Sequence, residues 1–291
     1  MKVRYTEKGV HLFDRRNGLN VFLDEVRTRA DIWSAAPANV SIALTNRCNM
    51  RCKHCFAPKT DVELDEQMVR RWIAELDQAG CLGVGFGGGE PLLYGGLLRL
   101  GKFIRNSTSM ACTVTTNGLL LTDELIADLS ECVDFLRVST NGRRIDEKLL
   151  NRLSSHIRTG VNYLLNDETF RDLEAALQTY ASLGIQEVLL LPQLGTQSVR
   201  QISVKCLEHV DEFLSSCRLP VRVTISAAQT SGFASALDVP GDIGLRQYAH
   251  ISADGLLKED STAVTGVKIG SAGVLAAFRQ LEEQHESLVR V

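Results

Sequence analysis

Three of the chain's eight cysteines stand within eight residues of one another. Cys48, Cys52 and Cys55 form a C-x3-C-x2-C pattern inside the stretch NRCNMRCKHCFAP. Clustered thiols can ligate zinc, ligate an iron–sulfur cluster, or form disulfides in an oxidising compartment. The redox environment and the number of available ligands decide between these chemistries.

The composition predicts an ordinary globular protein of a reducing compartment. The chain has 291 residues, 44% hydrophobic and 23% charged, which suits one large α/β domain with or without a small appendage. Its net charge of −3 argues against a nucleic-acid partner, since such proteins carry a basic excess. The N-terminus lacks a signal-peptide pattern, and no apolar run is long enough for a transmembrane helix. We therefore predict a cytoplasmic protein with no membrane partner.

In a reducing compartment the cysteine pattern favours metal binding over disulfides. A structural zinc site needs four ligands, and no second CxxC unit occurs in the chain. His54 is a poor fourth ligand because it lies between Cys52 and Cys55, too close along the backbone to complete a tetrahedron. Three thiolates with one open position suit a [4Fe–4S] cluster whose fourth iron binds another molecule.

Short apolar segments rich in β-branched residues alternate with helical patterns along the middle of the chain. The predicted strands are 40–46, 82–89, 112–117, 135–141, 161–166 and 187–193, and the predicted helices are 65–80, 96–107, 122–131 and 168–184. This alternation predicts parallel βαβ units. Gly80 and Gly184 are predicted to end two of the helices.

Polar and glycine-rich residues follow several of these strands. VTTNG at 114–118 and VSTNG at 138–142 are similar to each other, and three glycines stand at 87–89. Asn-Gly alone could be no more than a tight turn. In parallel α/β folds, however, ligands bind at the carboxyl ends of the strands, where the cysteine cluster also lies.

The flanks of the chain differ from this repeat. Residues 3–24 predict one or two β-hairpins, 221–227 a further strand, 229–242 a loop, 248–260 a hairpin, and 271–284 a closing helix. We predict three units, at 1–37, 38–218 and 219–291.

C-x3-C-x2-C after the first strand of the repeat, with Gly88-Gly89-Glu90 ending the second, resembles the radical S-adenosylmethionine (SAM) enzymes over roughly residues 38–195. The resemblance implies an α/β fold, a partial (β/α)6 TIM-like barrel, here with an N-terminal β-hairpin and a small C-terminal α+β extension. It also implies that Cys48, Cys52 and Cys55 hold a [4Fe–4S] cluster whose fourth iron chelates S-adenosylmethionine.

The same resemblance implies the contacts of the second cofactor. Gly88, Gly89 and Glu90 would meet the methionine amino group, and four residues on the next two strands, Thr116, Asn117, Ser139 and Asn141, would meet carboxylate and ribose. The backbone of Phe56 and the strand end at Leu191–Gln193 would border the adenine. Reductive cleavage would then release a 5′-deoxyadenosyl radical that abstracts a substrate hydrogen.

Two cysteines past the repeat, Cys206 and Cys217, are candidate hydrogen-atom donors to a substrate radical, as some peptide epimerases of this superfamily are thought to require. A buried cysteine is otherwise a small apolar residue. Apart from Cys52 and Cys55, the sequence has no CxxC unit that would indicate an auxiliary cluster. The C-terminal segment resembles a SPASM or twitch domain through Asp254-Gly255 and Gly270-Ser271, but it lacks the cluster cysteine between them, which suggests a vestigial domain.

Relatives with that C-terminal domain often modify ribosomally made peptides, so we predict peptide epimerisation or crosslinking. Residues 1–38 are too short for a leader-binding unit, so leader recognition would need another surface or a separate leader-peptide-binding protein. A low-potential flavodoxin or ferredoxin is expected as electron donor. Alternatives are an enzyme acting on a small metabolite or nucleoside, a non-catalytic iron–sulfur protein for electron transfer or sensing, and a zinc-binding scaffold.

Overall fold

Strands and helices alternate from residue 39 to residue 216 of the computed structural model, which describes residues 1–140, 145–195, 200–216, 221–226 and 244–289. The predicted loop at 229–242, Asn141 and Cys217 lie outside the described residues.

The N-terminal residues form an antiparallel sheet in which β1 (Lys2–Thr6), β2 (Gly9–Asp14) and β3 (Leu19–Leu23) pair in chain order. Gly18 has φ +74° in the turn between β2 and β3, a conformation that glycine adopts without strain. This is the hairpin structure predicted for residues 3–24.

A second sheet contains the repeat. Its strands within the described ranges are β4 (Asn39–Thr45), β5 (Gly83–Gly88), β6 (Ala111–Thr116), β7 (Phe135–Ser139), β8 (Thr159–Leu165), β9 (Glu187–Pro192), β10 (Arg222–Ile225), β11 (Tyr248–Ile251), β12 (Leu256–Lys258) and β13 (Val267–Lys268). Their spatial order is β10-β9-β8-β7-β6-β5-β4-β11-β12-β13. Strands β4 to β9 are neighbours in chain order and all pair in parallel, as the spacing predicts.

Both ends of this parallel run are extended by strands from beyond residue 218. β10 pairs with β9 and β11 pairs with β4, each in parallel, whereas β12 and β13 continue the sheet antiparallel. The structure is thus a mixed α/β fold with a parallel-strand sheet. The three predicted units and the closure of the repeat into a partial barrel stay predictions.

The helices are α1 (Glu66–Gln78), α2 (Leu97–Ser107), α3 (Asp123–Ser130), α4 (Glu147–His156), α5 (Leu173–Ser182), α6 (Val204–Ser216) and α7 (Val274–Val289). The side chains of Asp65, Thr122 and Asp146 each accept a hydrogen bond from a backbone N–H in the first turn of α1, α3 and α4. Gly80 and Gly184 follow α1 and α5 with positive φ, as expected of helix stops. Sequence analysis missed α4.

One face of the central sheet packs on the helices. Alternate residues of each strand, among them Ile42, Val84, Val114, Leu136, Val161 and Val188, are almost fully buried in that core. The residues between them point to the opposite face, which is glycine-rich and polar. No helix within the described ranges is long and apolar enough to cross a membrane.

Candidate active site

The three clustered cysteines lie in one irregular loop directly after β4. We call residues 46–62 the cysteine loop. Thr45 forms an isolated bridge with Glu63, and the Asn46 N–H donates to the Val62 carbonyl at 2.8 Å, so the two ends of the loop are held together. Cys48, Cys52 and Cys55 are all partly buried within it.

Hydrogen-bond donors face two of the sulfurs. The backbone N–H of Met50 lies 3.4 Å from Cys48 Sγ, and the ammonium of Lys59 lies 3.1 Å from Cys55 Sγ. Both cysteines are free thiols. In the parts of the chain that the structure describes, no three histidine, cysteine or acidic side chains converge as a metal-binding group. The chemistry of the loop fits iron–sulfur ligation, since hydrogen bonds to the sulfurs are a normal feature of such sites.

The end of β5 lies against the start of the cysteine loop. The N–H of Gly89 donates to Thr45 O at 2.7 Å, and the N–H of Glu90 donates to Arg47 O at 2.8 Å. A Cβ on Gly89 would lie 2.1 Å from Arg47 O, so no side chain fits there. Gly88 has φ +118°, which disfavours any other residue. Next to them, a Cβ on Gly87 would meet no atom within 4 Å, so the backbone borders open space there.

Glu90 is 1% exposed and joins the ends of β5 and β6. Its carboxylate accepts hydrogen bonds from Thr116 Oγ1 at 2.7 Å, from the Asn117 N–H at 2.9 Å and from the Leu92 N–H at 3.2 Å. Burial raises the pKa of Glu90, and these hydrogen bonds only partly oppose the rise. The three donors are neutral, so a cation placed here would gain a buried, preoriented carboxylate.

Asn117 connects this arrangement to the cysteine loop, because its Nδ2 donates to Asn49 Oδ1 at 2.7 Å. We call Gly88, Gly89, Glu90, Thr116 and Asn117 the Glu90 corner. The structure therefore brings together the corner and the loop that carries the three cysteines.

The other predicted cofactor contacts lie further along the sheet edge. Ser139 ends β7, where the Nδ2 of Asn162 donates to its Oγ at 3.4 Å. Leu191 and Gln193 lie at the end of β9, and Gln193 accepts a hydrogen bond from Asn166 Nδ2 at 3.1 Å. Phe56, in the cysteine loop, is 59% exposed. Strand order places Ser139 one strand away from Thr116, and Leu191 two strands beyond Ser139.

Cys206 lies in the first turn of α6 and is 5% exposed. Its Sγ points at the Asn166 carbonyl at 3.9 Å. Burial, with Asp167 nearby, raises its pKa to about 11, so the thiol keeps its proton at neutral pH. Its predicted role as a hydrogen-atom donor stays a prediction.

The polar face of the sheet carries residues that sequence analysis missed. Arg137 on β7 and Glu187 on β9 form an ion pair of 2.5 Å, and Thr224 on β10 donates to Glu187 at 3.2 Å. Burial raises the pKa of Glu187, but Arg137, Arg222 and Thr224 together outweigh it, so that the pKa is lowered. The only signal in the sequence was one charged residue in each of two otherwise apolar strands, FLRVS and EVLLLP.

Two further polar residues of this face, Tyr248 and His250, lie on β11. Ser41 Oγ on β4 lies 2.5 Å from Tyr248 Oη and 2.6 Å from His250 Nδ1. Burial lowers the pKa of His250 to about 4, so this imidazole is neutral at pH 7. One of its ring nitrogens is then a hydrogen-bond donor and the other an acceptor. A polar, partly accessible surface thus extends across the sheet beneath the Glu90 corner.

Comparison with known proteins places this site in a family. Residues 42–191 match the model of the Radical SAM superfamily. Members of this superfamily are enzymes that carry a [4Fe–4S] cluster and bind S-adenosylmethionine, and these are the cofactors of this chain.

Two relatives have named activities. The chain is 25% identical to PqqA peptide cyclase of Bradyrhizobium diazoefficiens over 181 residues, which are 61% of this chain and 47% of that protein. It is 25% identical to GTP 3′,8-cyclase of Streptomyces coelicolor over 240 residues, 77% of this chain and 65% of that protein. The matches thus span about half to two thirds of the length of these relatives.

Among solved structures, SuiB of Streptococcus suis bound to its precursor peptide SuiA has a TM-score of 0.74. It is 13% identical, and the match covers 95% of this chain and 86% of that chain. At this identity the likeness shows a shared fold.

Proposed function

Because the chain belongs to the Radical SAM superfamily, we propose that it cleaves S-adenosylmethionine reductively and uses the radical to modify a ribosomally made peptide by epimerisation or crosslinking. The observation that carries the proposal is the Glu90 corner, whose buried carboxylate accepts three hydrogen bonds and whose Asn117 side chain is hydrogen-bonded to the cysteine loop.

In this proposal Cys48, Cys52 and Cys55 ligate three irons of the cluster. Their thiols share one loop, and donors from Met50 and Lys59 already face two of the sulfurs. When bound and reduced by one electron, the cluster supplies the reductive cleavage of the sulfonium and the 5′-deoxyadenosyl radical.

Glu90 holds the amino group of the cofactor. A carboxylate that is buried beside neutral donors is stabilised by an ammonium ion, and that ion would in turn be shielded from water. Gly88 and Gly89 allow the ligand to approach the backbone. Thr116 and Asn117 orient the carboxylate of Glu90 and also contact the cofactor. Ser139 and Asn141 contact the carboxylate or the ribose of the cofactor. The adenine is bordered by Phe56, Leu191 and Gln193.

A peptide substrate is supported by the names of two similar proteins, a peptide cyclase and an enzyme bound to its precursor peptide. The proposal includes a separate leader-peptide-binding protein and a low-potential flavodoxin or ferredoxin as electron donor. The second candidate is a nucleotide or other small metabolite, which is favoured by the similarity to GTP 3′,8-cyclase.

The two candidates can be separated by following the abstracted hydrogen. The reconstituted protein is incubated with S-adenosylmethionine and a reductant, either with a perdeuterated short peptide encoded beside its gene or with deuterated GTP. Deuterium in 5′-deoxyadenosine from the peptide supports the proposal, and deuterium from GTP supports the second candidate. Cleavage with no transfer from the peptide contradicts peptide modification.

A further inference from the structure

Two buried polar groups on the polar face of the sheet have no hydrogen-bond partner among the described residues. They are Nη1 of Arg137 on β7 and Oδ1 of Asn162 on β8. Asn162 is 7% exposed. A buried acceptor without a partner destabilises the folded state, so such a group calls for an explanation.

The strand register places Arg137 and Asn162 at neighbouring positions on one face of the sheet. Arg137 lies opposite Gly160 on β8, which lies opposite Glu187 on β9. The side chain of Arg137 spans β8 to reach Glu187 at 2.5 Å, and the Phe135 ring on which its guanidinium stacks lies over Gly160. Asn162 is the next residue on the same face of β8, about 7 Å further along the strand. Arg137 and Asn162 are therefore diagonal neighbours on one face of the sheet.

Both groups are held in place by their other contacts. Nη2 of Arg137 is fixed by Glu187, and its guanidinium stacks on the Phe135 ring with Cζ 5.0 Å from the centroid. Nδ2 of Asn162 donates to Ser139 Oγ at 3.4 Å. Both side chains are thus held in place, and one donor and one acceptor have no partner among the described residues.

The charges decide which ligand fits. Glu187 already balances the charge of Arg137, which reduces the gain from a carboxylate, and Oδ1 of Asn162 would repel a carboxylate oxygen. A neutral group with a C=O and an N–H side by side satisfies both residues. Ser139, level with Asn162, ends its strand at the edge where the cofactor is proposed to bind.

We propose that Arg137 and Asn162 form a binding subsite for an amide edge of the substrate, with Arg137 donating to its carbonyl and Asn162 accepting from its N–H. Such an edge is presented by a peptide and by the lactam of a nucleobase such as guanine. The inference rests on the proposed function only in taking the bound molecule as the substrate.

The first test is stability, with Asn162→Leu and Asn166→Leu compared in the reconstituted protein. Asn166 is the matched control because its side chain is satisfied: it donates to Gln193 and accepts from the N–H groups of Glu168 and Thr169. Asn162→Leu should melt at or up to about 4 °C above the wild type, since it removes an unpartnered buried acceptor, whereas Asn166→Leu should melt lower. Equal losses in both variants would show that Asn162 is structural and would overturn the proposal.

The second test identifies the source of the amide. Calorimetry measures the binding of GTP and of acetyl-Ala-Ala-Ala-amide to the wild type and to the Arg137→Met and Asn162→Leu variants. One of the two probes should bind the wild type, and each substitution should weaken the affinity for that probe by about tenfold or more. Binding of GTP assigns a nucleobase, and binding of the tripeptide assigns a peptide. Binding of neither probe, or equal binding by the variants, overturns the amide subsite. Neither measurement depends on hydrogen abstraction, so failure here and failure of the radical chemistry are distinguishable.

Discussion

The cysteine loop and the Glu90 corner lie side by side, yet they are built in opposite ways. In the corner, a carboxylate that is 1% exposed accepts three hydrogen bonds from two strand ends. In the loop, the cysteines are only partly buried, no regular secondary structure is formed, and Phe56 is 59% exposed. The fold alone determines the corner, whereas the loop is fixed mainly at its ends.

The difference suggests that the corner and the loop contribute to cofactor binding in different ways. The corner is preorganised for a small cationic group, so its contribution to binding costs little ordering. The loop contributes soft ligands whose final arrangement is set by the metal cluster, since metal binding and local folding are coupled. Losing the cluster should therefore abolish activity, while changes in the corner should reduce affinity by degrees.

The largest expected effect comes from Cys48→Ala, which removes one of three thiolate ligands. Iron content should fall below that of the wild type and 5′-deoxyadenosine formation should drop to background, as measured by iron analysis and mass spectrometry. Cys132→Ala is the control: this buried thiol packs against Gly101 in the core, so the variant should keep iron and cleavage and lose only about 1 kcal/mol of stability. Retained cleavage in Cys48→Ala would contradict the assignment of the cysteine loop as the site of the cluster.

Glu90→Gln should weaken S-adenosylmethionine binding by roughly 10- to 100-fold, the range expected for a lost charge-assisted hydrogen bond. Equilibrium binding to the reconstituted protein measures this. The matched control is Glu63→Gln, which removes a carboxylate that is 44% exposed and paired with Arg47, and it should change affinity less than about twofold. Equal affinities of Glu90→Gln and the wild type would place the amino group elsewhere.

A smaller effect is expected from pH. Burial raises the pKa of Glu90, so this carboxyl group takes up its proton at higher pH than an exposed glutamate. Since an ammonium ion binds the ionised form, the affinity for S-adenosylmethionine should decrease as pH falls through this raised pKa, by at most about tenfold per unit. The linked effect on stability has the opposite sign: the folded state binds more protons than the unfolded state, so the unliganded protein gains stability as pH falls through this pKa.

The comparison of Glu90→Gln with the wild type isolates this group, because the variant has no carboxyl group to titrate there. Its affinity should change less with pH. A pH dependence that is the same in both proteins would mean that another group controls binding.

The smallest effect is expected from Cys206→Ala. The side chain is buried away from both the loop and the corner, against the Asn166 carbonyl. Formation of 5′-deoxyadenosine should stay within about twofold of the wild type, with roughly 1 kcal/mol of stability lost. A changed product, such as a trapped radical adduct, would show that this thiol acts after hydrogen abstraction.

Much of the fold followed from local signals. The strands β4 to β9 are short apolar segments at even spacing, and the helix stops at Gly80 and Gly184 have the positive φ expected of them. Helix α4 was missed although Asp146 caps it, because Arg-Arg-Ile-Asp before it gives no clear turn signal. Local patterns also could not show that β11 pairs in parallel with β4, some 200 residues earlier.

The site was predictable where a motif implied it and not where packing created it. Cys48, Glu90 and Thr116 stand at strand ends, where sequence position alone indicates a ligand edge. Arg137 and Asn162 stand in the middle of strands and Glu187 begins one, and their relation depends on a register that only the folded sheet defines. An isolated charge in an apolar strand is the signal to look for in such cases.

The most direct test of the central claim is anaerobic reconstitution of the chain with iron and sulfide, followed by addition of dithionite and S-adenosylmethionine. We predict about four irons per chain and formation of 5′-deoxyadenosine. Four irons without 5′-deoxyadenosine would contradict the assignment of the Glu90 corner as a cofactor site. One zinc per chain and no iron would contradict the assignment of Cys48, Cys52 and Cys55 as cluster ligands.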